Sequence, residues 1–144
     1  MIRPIIVADV IDQILPMIRE NWAETGFAFA IDPDVATYAS MQESDQLIAL
    51  GAFDGDDMIG YSTAMIGCHI FNPNVIVCQS DALFVRQSHR QTSIGGRLIL
   101  QTEHIAKHRG AHFMLWQTRA GTPLAGSLLR RGYEPADVAL IKGL

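Results

Sequence analysis

The sequence has few cysteines and no long hydrophobic run. The longest apolar run, Leu47 to Phe53, is far shorter than a membrane span, and charged residues and prolines interrupt the N-terminus before a signal-peptide core forms. These absences predict a cytoplasmic protein that does not enter a membrane. Two cysteines, Cys68 and Cys78, lie roughly symmetrically about the turn 72–74. They are expected either to face each other across a hairpin or, as a cytoplasmic location favours, to be free buried thiols.

Basic residues are scarce in the first part of the chain. Residues 1–85 carry 2 basic and 12 acidic side chains, whereas residues 86–144 carry 9 and 3. The net charge of −4 disfavours a nucleic-acid partner. The basic part suits a polyanionic cofactor. The acidic part suits a cationic acceptor such as an amine, a polyamine or a basic peptide, unless its acids only solvate helices and turns.

The length of 144 residues and the hydrophobic content of 49% predict one domain with a substantial core. There is no internal repeat, linker or low-complexity segment. Apolar periodicity and turn signals predict the order strand, two helices, three strands, helix, strand, helix, strand. The predicted strands lie at 2–7, 46–53, 58–68, 75–85, 112–118 and 133–142, and the predicted helices at 9–22, 32–42, 94–108 and 123–131.

The stretch 85–98, VRQSHRQTSIGGRL, has the pattern of a strand end, a basic loop and a helix start. The first backbone amides of a helix have no partner within it and lie at its positive end, so such a loop can hold phosphates. Gly95 and Gly96 let a ligand approach the backbone. The loop lacks the Gly-Lys-Ser/Thr end of a nucleoside-triphosphate loop, so ordinary capping by Thr92 or Ser93 is the alternative. Its cationic side chains are Arg86, His89, Arg90 and Arg97.

The segment from Arg90 to Gly95 resembles the acetyl-CoA loop of the GNAT acetyltransferase superfamily, Arg/Gln-x-x-Gly-x-Gly/Ala, with Ser93 in place of the first glycine. The order of elements is similar to that fold over nearly the whole chain. The segment 128–133, LLRRGY, resembles its closing helix and Gly-Phe. Together with 116–119, WQTR, it is most similar to small GNAT proteins of phages and prophages. The resemblance implies an α+β fold in which about four helices flank a central mixed, mostly antiparallel sheet of about six strands.

The resemblance also implies a cofactor site, with acetyl-CoA as co-substrate and no metal. Its pantetheine arm is expected to pair with the backbone of Leu83, Phe84 and Val85 where two strands splay apart. Its pyrophosphate is expected on the loop amides, with the Arg90 side chain nearby. The Leu83 amide is the expected oxyanion donor. The loop amides are those of Gln91, Thr92, Ser93, Ile94, Gly95 and Gly96.

Asp81 is the candidate general base for deprotonating an amine. It lies four residues before Val85, where many family members carry glutamate, and in a regular strand it shares one face with Leu83 and Val85. Its shorter side chain calls for a bridging water. The alternative is an acid satisfied by neighbouring strands or by Arg86. On the acceptor side, Phe27, Phe29 and Tyr38 either line a substrate mouth or pack under a loop.

One family feature is missing. The tyrosine general acid that usually precedes the closing Gly-Phe is replaced by Leu128, and Tyr133 lies in a different element. Two functions therefore remain. One is an N-acetyltransferase that transfers acetyl to a primary amine of a small molecule or basic peptide by direct attack in a ternary complex. The other is an interaction protein that keeps the CoA fold without turnover, such as a phage accessory factor. Dimers are common in the family, so the resemblance also suggests a homodimer.

Overall fold

The computed structural model describes residues 1–25, 28–119 and 121–144. Within these residues, five strands form one sheet in the order β1-β2-β3-β4-β5. The neighbours from β1 to β4 are antiparallel, whereas β5 runs parallel to β4. The strands are β1 Ile2–Pro4, β2 Leu47–Asp54, β3 Asp57–His69, β4 Asn72–Val85 and β5 Phe113–Leu115. The helices are α1 Ile11–Thr25, α2 Val35–Glu43, α3 Ile94–His108 and α4 Pro123–Arg130.

Helices cover both faces of the sheet, which explains why β2 is buried along nearly its whole length. On one face, Ile14 and Met17 of α1 pack with alternate residues of the strands, and α2 adds Tyr38 and Met41. On the other face, Leu98 of α3 packs against the opposite set of strand residues. The alternation of side chains along a strand thus divides the core into an α1/α2 face and an α3 face.

The register between β3 and β4 shifts in the middle of the two strands. Thr63 pairs with Ala82, whereas the next residue, Ala64, pairs with Ser80. Asp81 is therefore the extra residue of a β-bulge, which bends the strand and changes the direction of its side chain. Bulges of this kind commonly lie beside active sites.

The last predicted strand, 133–142, is wrong, because no strand forms among these described residues. Val138, Leu140 and Ile141 remain largely exposed. The predicted strand 112–118 is also shorter than expected, since only Phe113–Leu115 pairs with β4. Alternating apolar residues indicate that a segment can form a strand, but not that a sheet edge is available to pair with it.

The two cysteines are free, as the second alternative predicted, but only Cys78 is buried. The register pairs Cys68 with Ile76 and Cys78 with Ile66, so the cysteines do not face each other across the hairpin. Cys68 is exposed because it lies near the exposed tip of the β3–β4 hairpin. No helix in the described part of the chain is long and apolar enough to cross a membrane.

Candidate active site

The carboxylate of Asp81 lies at the bulge of β4 and accepts two hydrogen bonds. The Tyr38 hydroxyl of α2 donates to its Oδ2 atom over 2.9 Å, and the Thr63 hydroxyl of β3 donates to the same atom over 2.8 Å. No donor among the described residues reaches Oδ1. Asp81 itself is exposed, so the second oxygen is available to a ligand.

The bulge places Asp81 on the α1/α2 face of the sheet. A regular strand predicts that Asp81 shares a face with Leu83 and Val85, and this expectation is wrong. Leu83 and Val85 pack in the α3 cluster, whereas Ala82 and Phe84 pack in the α1/α2 cluster that also contains Tyr38, the partner of Asp81. The extra residue in β4 shifts the alternation by one position.

The edge of β4 that faces β5 is open along its second half. The pairing of β4 with β5 ends at Gln79 and Leu115. The Arg86 amide donates to Ile59 of β3 over 2.9 Å. Backbone groups alternate in direction along a strand, so the N–H and C=O of Phe84 also point toward β3. Those of Leu83 and Val85 point away from β3, into the gap between β4 and the chain that follows β5.

The gap is closed at its narrow end by a side chain. The Ser80 hydroxyl accepts a hydrogen bond over 2.9 Å from the Gln117 amide, just past the end of β5. Ser80 is buried. This contact takes the place of the next backbone pair between the two strands, and no further β4–β5 pair follows it among the described residues.

The start of α3 has backbone N–H groups that could bind a phosphate-sized group. Ser93 is the N-cap residue, but its side chain makes no capping hydrogen bond. The Thr92 hydroxyl accepts from the Ile94 amide over 3.3 Å. The Gly95 and Gly96 amides lie in the first turn and have no partner within the helix. The local capping that the sequence suggested is thus provided by Thr92, and it leaves these two amides available.

Arg90 is anchored by other groups. It donates twice to the Glu24 carboxylate of α1, over 2.7 and 2.9 Å, and its Nε donates to the Val85 carbonyl over 2.7 Å. Its guanidinium also lies 5.1 Å from the centre of the Phe84 ring. These contacts connect the loop to α1 and to the end of β4.

Two other cations, Arg131 and Arg97, belong to the first turn of α3 or lie beside it. A Cβ atom at position 96 would collide with the guanidinium of Arg131, which follows α4. Arg97 is exposed and forms no ion pair within the described residues. Sequence reasoning missed Arg131 because it lies 35 positions from Gly96. A weaker ion pair joins Arg86 to Glu20 at 3.9 Å, and the His89 ring lies 3.8 Å from the Asp54 carboxylate.

The open edge of β4, the bulge and the loop before α3 all lie within the part of the chain that matches a family model. The sequence model of the Acetyltransferase (GNAT) family matches residues 14–133. The chain belongs to the GNAT acetyltransferase family. A search of curated protein sequences found no match.

Solved structures support the GNAT fold over the full chain. An aminoglycoside acetyltransferase, meta-AAC0020 from an uncultured soil metagenomic sample, is 16% identical with a TM-score of 0.78, covering 100% of this chain and 95% of its own. A putative acetyl transferase from Pyrococcus furiosus is 19% identical with a TM-score of 0.75, covering 100% and 99%. The aminoglycoside N-acetyltransferase AAC(6')-Iy in complex with CoA is 16% identical with a TM-score of 0.71, covering 100% and 98%. At these identities the likeness concerns the fold.

Two parts of the site have backbone groups without a partner among the described residues. At the edge of β4 these are the backbone groups of Leu83 and the amide of Val85, since the Val85 carbonyl accepts from Arg90. In the first turn of α3 they are amides of the kind that bind phosphate. The Phe84 backbone faces β3, so it is not at this edge. Within the described residues, no group of three or more potential ligand side chains could hold a metal ion.

The residue at the position of the usual GNAT tyrosine acid, Leu128, belongs to the core. Leu128 is buried, with only 4% of its surface exposed. Tyr133 is engaged elsewhere, since its hydroxyl accepts from Trp116 Nε1 and donates to Glu103, both over 2.8 Å. Burial and the hydrogen bond to Glu103 raise the pKa of Tyr133. The structure thus supplies no tyrosine at the expected position.

Two of the three predicted aromatic residues, Phe29 and Tyr38, lie in the described part of the chain, and one of them lies beside Asp81. Tyr38 lines a cavity next to Asp81. Phe29 is exposed and packs against Trp22 in a tilted arrangement, with 4.8 Å between ring centres, and Phe27 lies outside the described residues. The sequence did not predict the hydrogen bond from Thr63 to Asp81, because a strand pattern does not indicate which hydroxyl will lie beside a bulge in the neighbouring strand.

Proposed function

We propose that this GNAT protein is an acetyl-CoA-dependent N-acetyltransferase that acts on a primary amine by direct attack in a ternary complex. The observation that carries this proposal is the position of the Asp81 carboxylate. One of its oxygens has no donor among the described residues, and the carboxylate lies at a bulge two residues before Leu83, on the open edge of β4. Acetyl-CoA, when bound, supplies an acetyl thioester.

The chain's own groups fit the binding of the cofactor. Leu83 and Val85 are proposed to pair with the pantetheine arm, and the first-turn amides to bind the pyrophosphate. The predicted cofactor residues remain proposals: Leu83, Phe84, Val85, Arg90, Gln91, Thr92, Ser93, Ile94, Gly95 and Gly96. Arg131 and Arg97 are better placed than Arg90 to add charge at the phosphates, because Arg90 is held by Glu24.

Deprotonation of the amine is the step assigned to Asp81. An alkylammonium with a pKa near 10.4 is neutral in only about one molecule in 10³ at about pH 7.4, a deficit of roughly 4 kcal/mol. Asp81 is proposed to remove the proton through a water. Its hydrogen bonds from Tyr38 and Thr63 hold one carboxylate oxygen, which leaves the other for this task.

The Leu83 amide is proposed to stabilise the negative charge that develops on the thioester oxygen. Leu83 faces the gap beside β5, and a donor in such a position typically contributes about 10²–10³ in rate. No side-chain acid is needed for departure of the thiolate, because an ordinary thiol has a pKa near 8.5. The replacement of tyrosine by Leu128 is therefore compatible with turnover.

Leu128 and Ser93 favour a second candidate function, an interaction protein that keeps the fold without turnover. Leu128 fills the position of the usual acid, and Ser93 replaces a loop glycine. A phage accessory factor in the cytoplasm is the form of this candidate that the sequence resemblance suggests.

Calorimetric titration with acetyl-CoA and with CoA at fixed salt tests the proposal. Gly95→Asp places a carboxylate in the first turn of α3, where the nearest atom to a new Cβ is 3.8 Å away, so its effect comes from charge. Gly67→Asp adds the same charge on β3, where a new Cβ meets nothing within 4 Å. We expect micromolar binding that Gly95→Asp removes and Gly67→Asp retains. No binding at millimolar acetyl-CoA would favour the second candidate.

A further inference from the structure

A cavity of about 220 Å³ lies between α2 and the bulge of β4. Pockets for drug-sized ligands commonly have about 300–1,000 Å³, so this cavity suits a smaller molecule. It is lined by Asp34, Thr37, Tyr38, Met41, Leu47, Met65 and Asp81. No lysine, arginine or histidine is among these lining residues. The volume and the charge together favour a small cationic acceptor.

The cavity combines an apolar surface with two carboxylates. Met41, Leu47 and Met65 provide the apolar wall, and methionine side chains adapt readily to a flexible methylene chain. Asp81 contributes the oxygen that has no donor among the described residues. Asp34 contributes the second carboxylate, at the start of α2.

Asp34 is held in place by the helix that it caps. Its carboxylate accepts from the Thr37 amide over 3.0 Å and from the Thr37 hydroxyl over 2.6 Å. These hydrogen bonds hold the pKa of Asp34 below its usual value. Asp34 lies four residues, about one helical turn, before Tyr38, whose hydroxyl contacts Asp81. Both carboxylates therefore line the same cavity, connected through one turn of α2 and the side chain of Tyr38.

We propose that the acceptor is a short aliphatic diamine. This inference rests on the proposed function. One ammonium lies at Asp81, the methylene chain lies against Met41 and Met65, and the second ammonium lies near Asp34. The amine nitrogen at Asp81 gives up its proton, which passes through Asp81 to solvent. It then forms a bond to the acetyl carbonyl carbon while the carbon–sulfur bond breaks. The nitrogen loses a second proton to solvent as the amide forms, so the products are a monoacetylated diamine and CoA, which leaves as the thiolate.

The test is calorimetry of the full chain in the presence of CoA with three probes: 1,4-diaminobutane, butylamine and sisomicin. Asp34→Asn removes the charge but keeps a good N-cap, so α2 is retained. In the wild type, 1,4-diaminobutane should bind about two- to fivefold more tightly than butylamine, as for a solvent-exposed ion pair. Asp34→Asn should reduce this ratio to about one. Sisomicin, a larger polycation, should bind more weakly than the diamine.

Equal affinity of the wild type for diamine and monoamine, or an unchanged ratio in Asp34→Asn, would overturn the inference. Tighter binding of sisomicin would do the same. Product analysis by mass spectrometry separates the two proposals. Acetylation of sisomicin but not of diaminobutane would remove the diamine and leave the acetyltransferase. Selective diamine binding without binding of acetyl-CoA would remove the acetyltransferase instead.

Discussion

The Tyr38 hydroxyl donates a hydrogen bond to Asp81 Oδ2 over 2.9 Å and so connects α2 to the bulge of β4. Burial, together with the negative charge of Asp81, raises the pKa of Tyr38, so its proton is retained throughout the neutral range. The Thr63 hydroxyl donates to the same oxygen from the neighbouring strand. Two elements thus fix the orientation of one carboxylate.

Tyr38→Phe is expected to lower the turnover of a primary amine about tenfold, because a hydrogen bond to a charged group contributes about 1.5–3 kcal/mol. Steady-state kinetics should show a lower kcat and an unchanged KM for acetyl-CoA. In the Asp81→Asn background the same change should have little further effect, since its partner charge is already absent.

Tyr61→Phe is the matched control for that experiment. Tyr61 is a buried tyrosine on the same face of the sheet, with a hydrogen bond to Asn21. It should change stability without a selective loss of kcat. If Tyr38→Phe and Tyr61→Phe lower kcat equally, the Tyr38–Asp81 contact does not orient the carboxylate.

The buried contact between the Ser62 and Thr102 hydroxyls, 3.0 Å apart, joins β3 to α3. Ser62→Ala leaves Thr102 with the Leu98 carbonyl as acceptor over 2.9 Å. Thr102→Val instead removes the hydroxyl that pairs with Ser62, and it should lower the free energy of unfolding by about 1–3 kcal/mol. Urea denaturation should therefore show a larger loss for Thr102→Val than for Ser62→Ala. The double variant should cost less than the sum, and strict additivity would contradict this account.

Gly60 lies where β3 approaches the backbone of β4. A Cβ atom there would lie 2.8 Å from the Phe84 carbonyl oxygen and 3.3 Å from the Val85 Cα, neither of which can move aside independently. Gly60→Ala should lower the free energy of unfolding by about 1–3 kcal/mol. Gly67→Ala, on the same strand but with nothing within 4 Å of a new Cβ, is the control and should be nearly neutral. Equal effects of the two substitutions in thermal or urea unfolding would count against the close approach.

The two cysteines should differ in reactivity. Cys68 is exposed, whereas Cys78 is buried and its burial raises the pKa of the thiol to about 11. Because the thiolate is the reactive form, a thiol reagent at about pH 8 should label one cysteine rapidly in the folded protein and the second only after unfolding. Rapid labelling that persists in Cys68→Ser would show that the Cys78 environment opens readily.

The sequence predicted the parts of the molecule whose cause is local. The range of α3 was predicted correctly, because apolar residues such as Leu98 recur at helical spacing and Gly110, with φ of 84°, ends the helix. The hairpins around β3 were also predicted to within a few residues. The family match over residues 14–133 confirms the GNAT resemblance first indicated by the loop.

The remaining features depend on contacts that no local pattern contains. The bulge at Asp81 arises from the register with β3, and it reversed the face expected for this carboxylate. Tyr38 meets Asp81 across 43 residues of sequence. Arg90 was expected at the phosphates because of its position in the loop, but the acidic partner that holds it, Glu24, lies 66 residues away. The prediction of a final strand was wrong because the sequence does not show whether a sheet edge is available to pair with it.

The most direct test of the account is acetyl transfer by the wild type and by Asp81→Asn at saturating acetyl-CoA, with 1,4-diaminobutane, butylamine, a lysine peptide and sisomicin as acceptors. Amine-dependent release of CoA and the mass of the product measure transfer, and calorimetry measures acetyl-CoA affinity. We predict that Asp81→Asn binds acetyl-CoA as the wild type does but loses about 10²–10⁴ in transfer rate. Equal rates at saturating amine would contradict the role of Asp81, and the absence of any acetylated product would contradict the proposed activity.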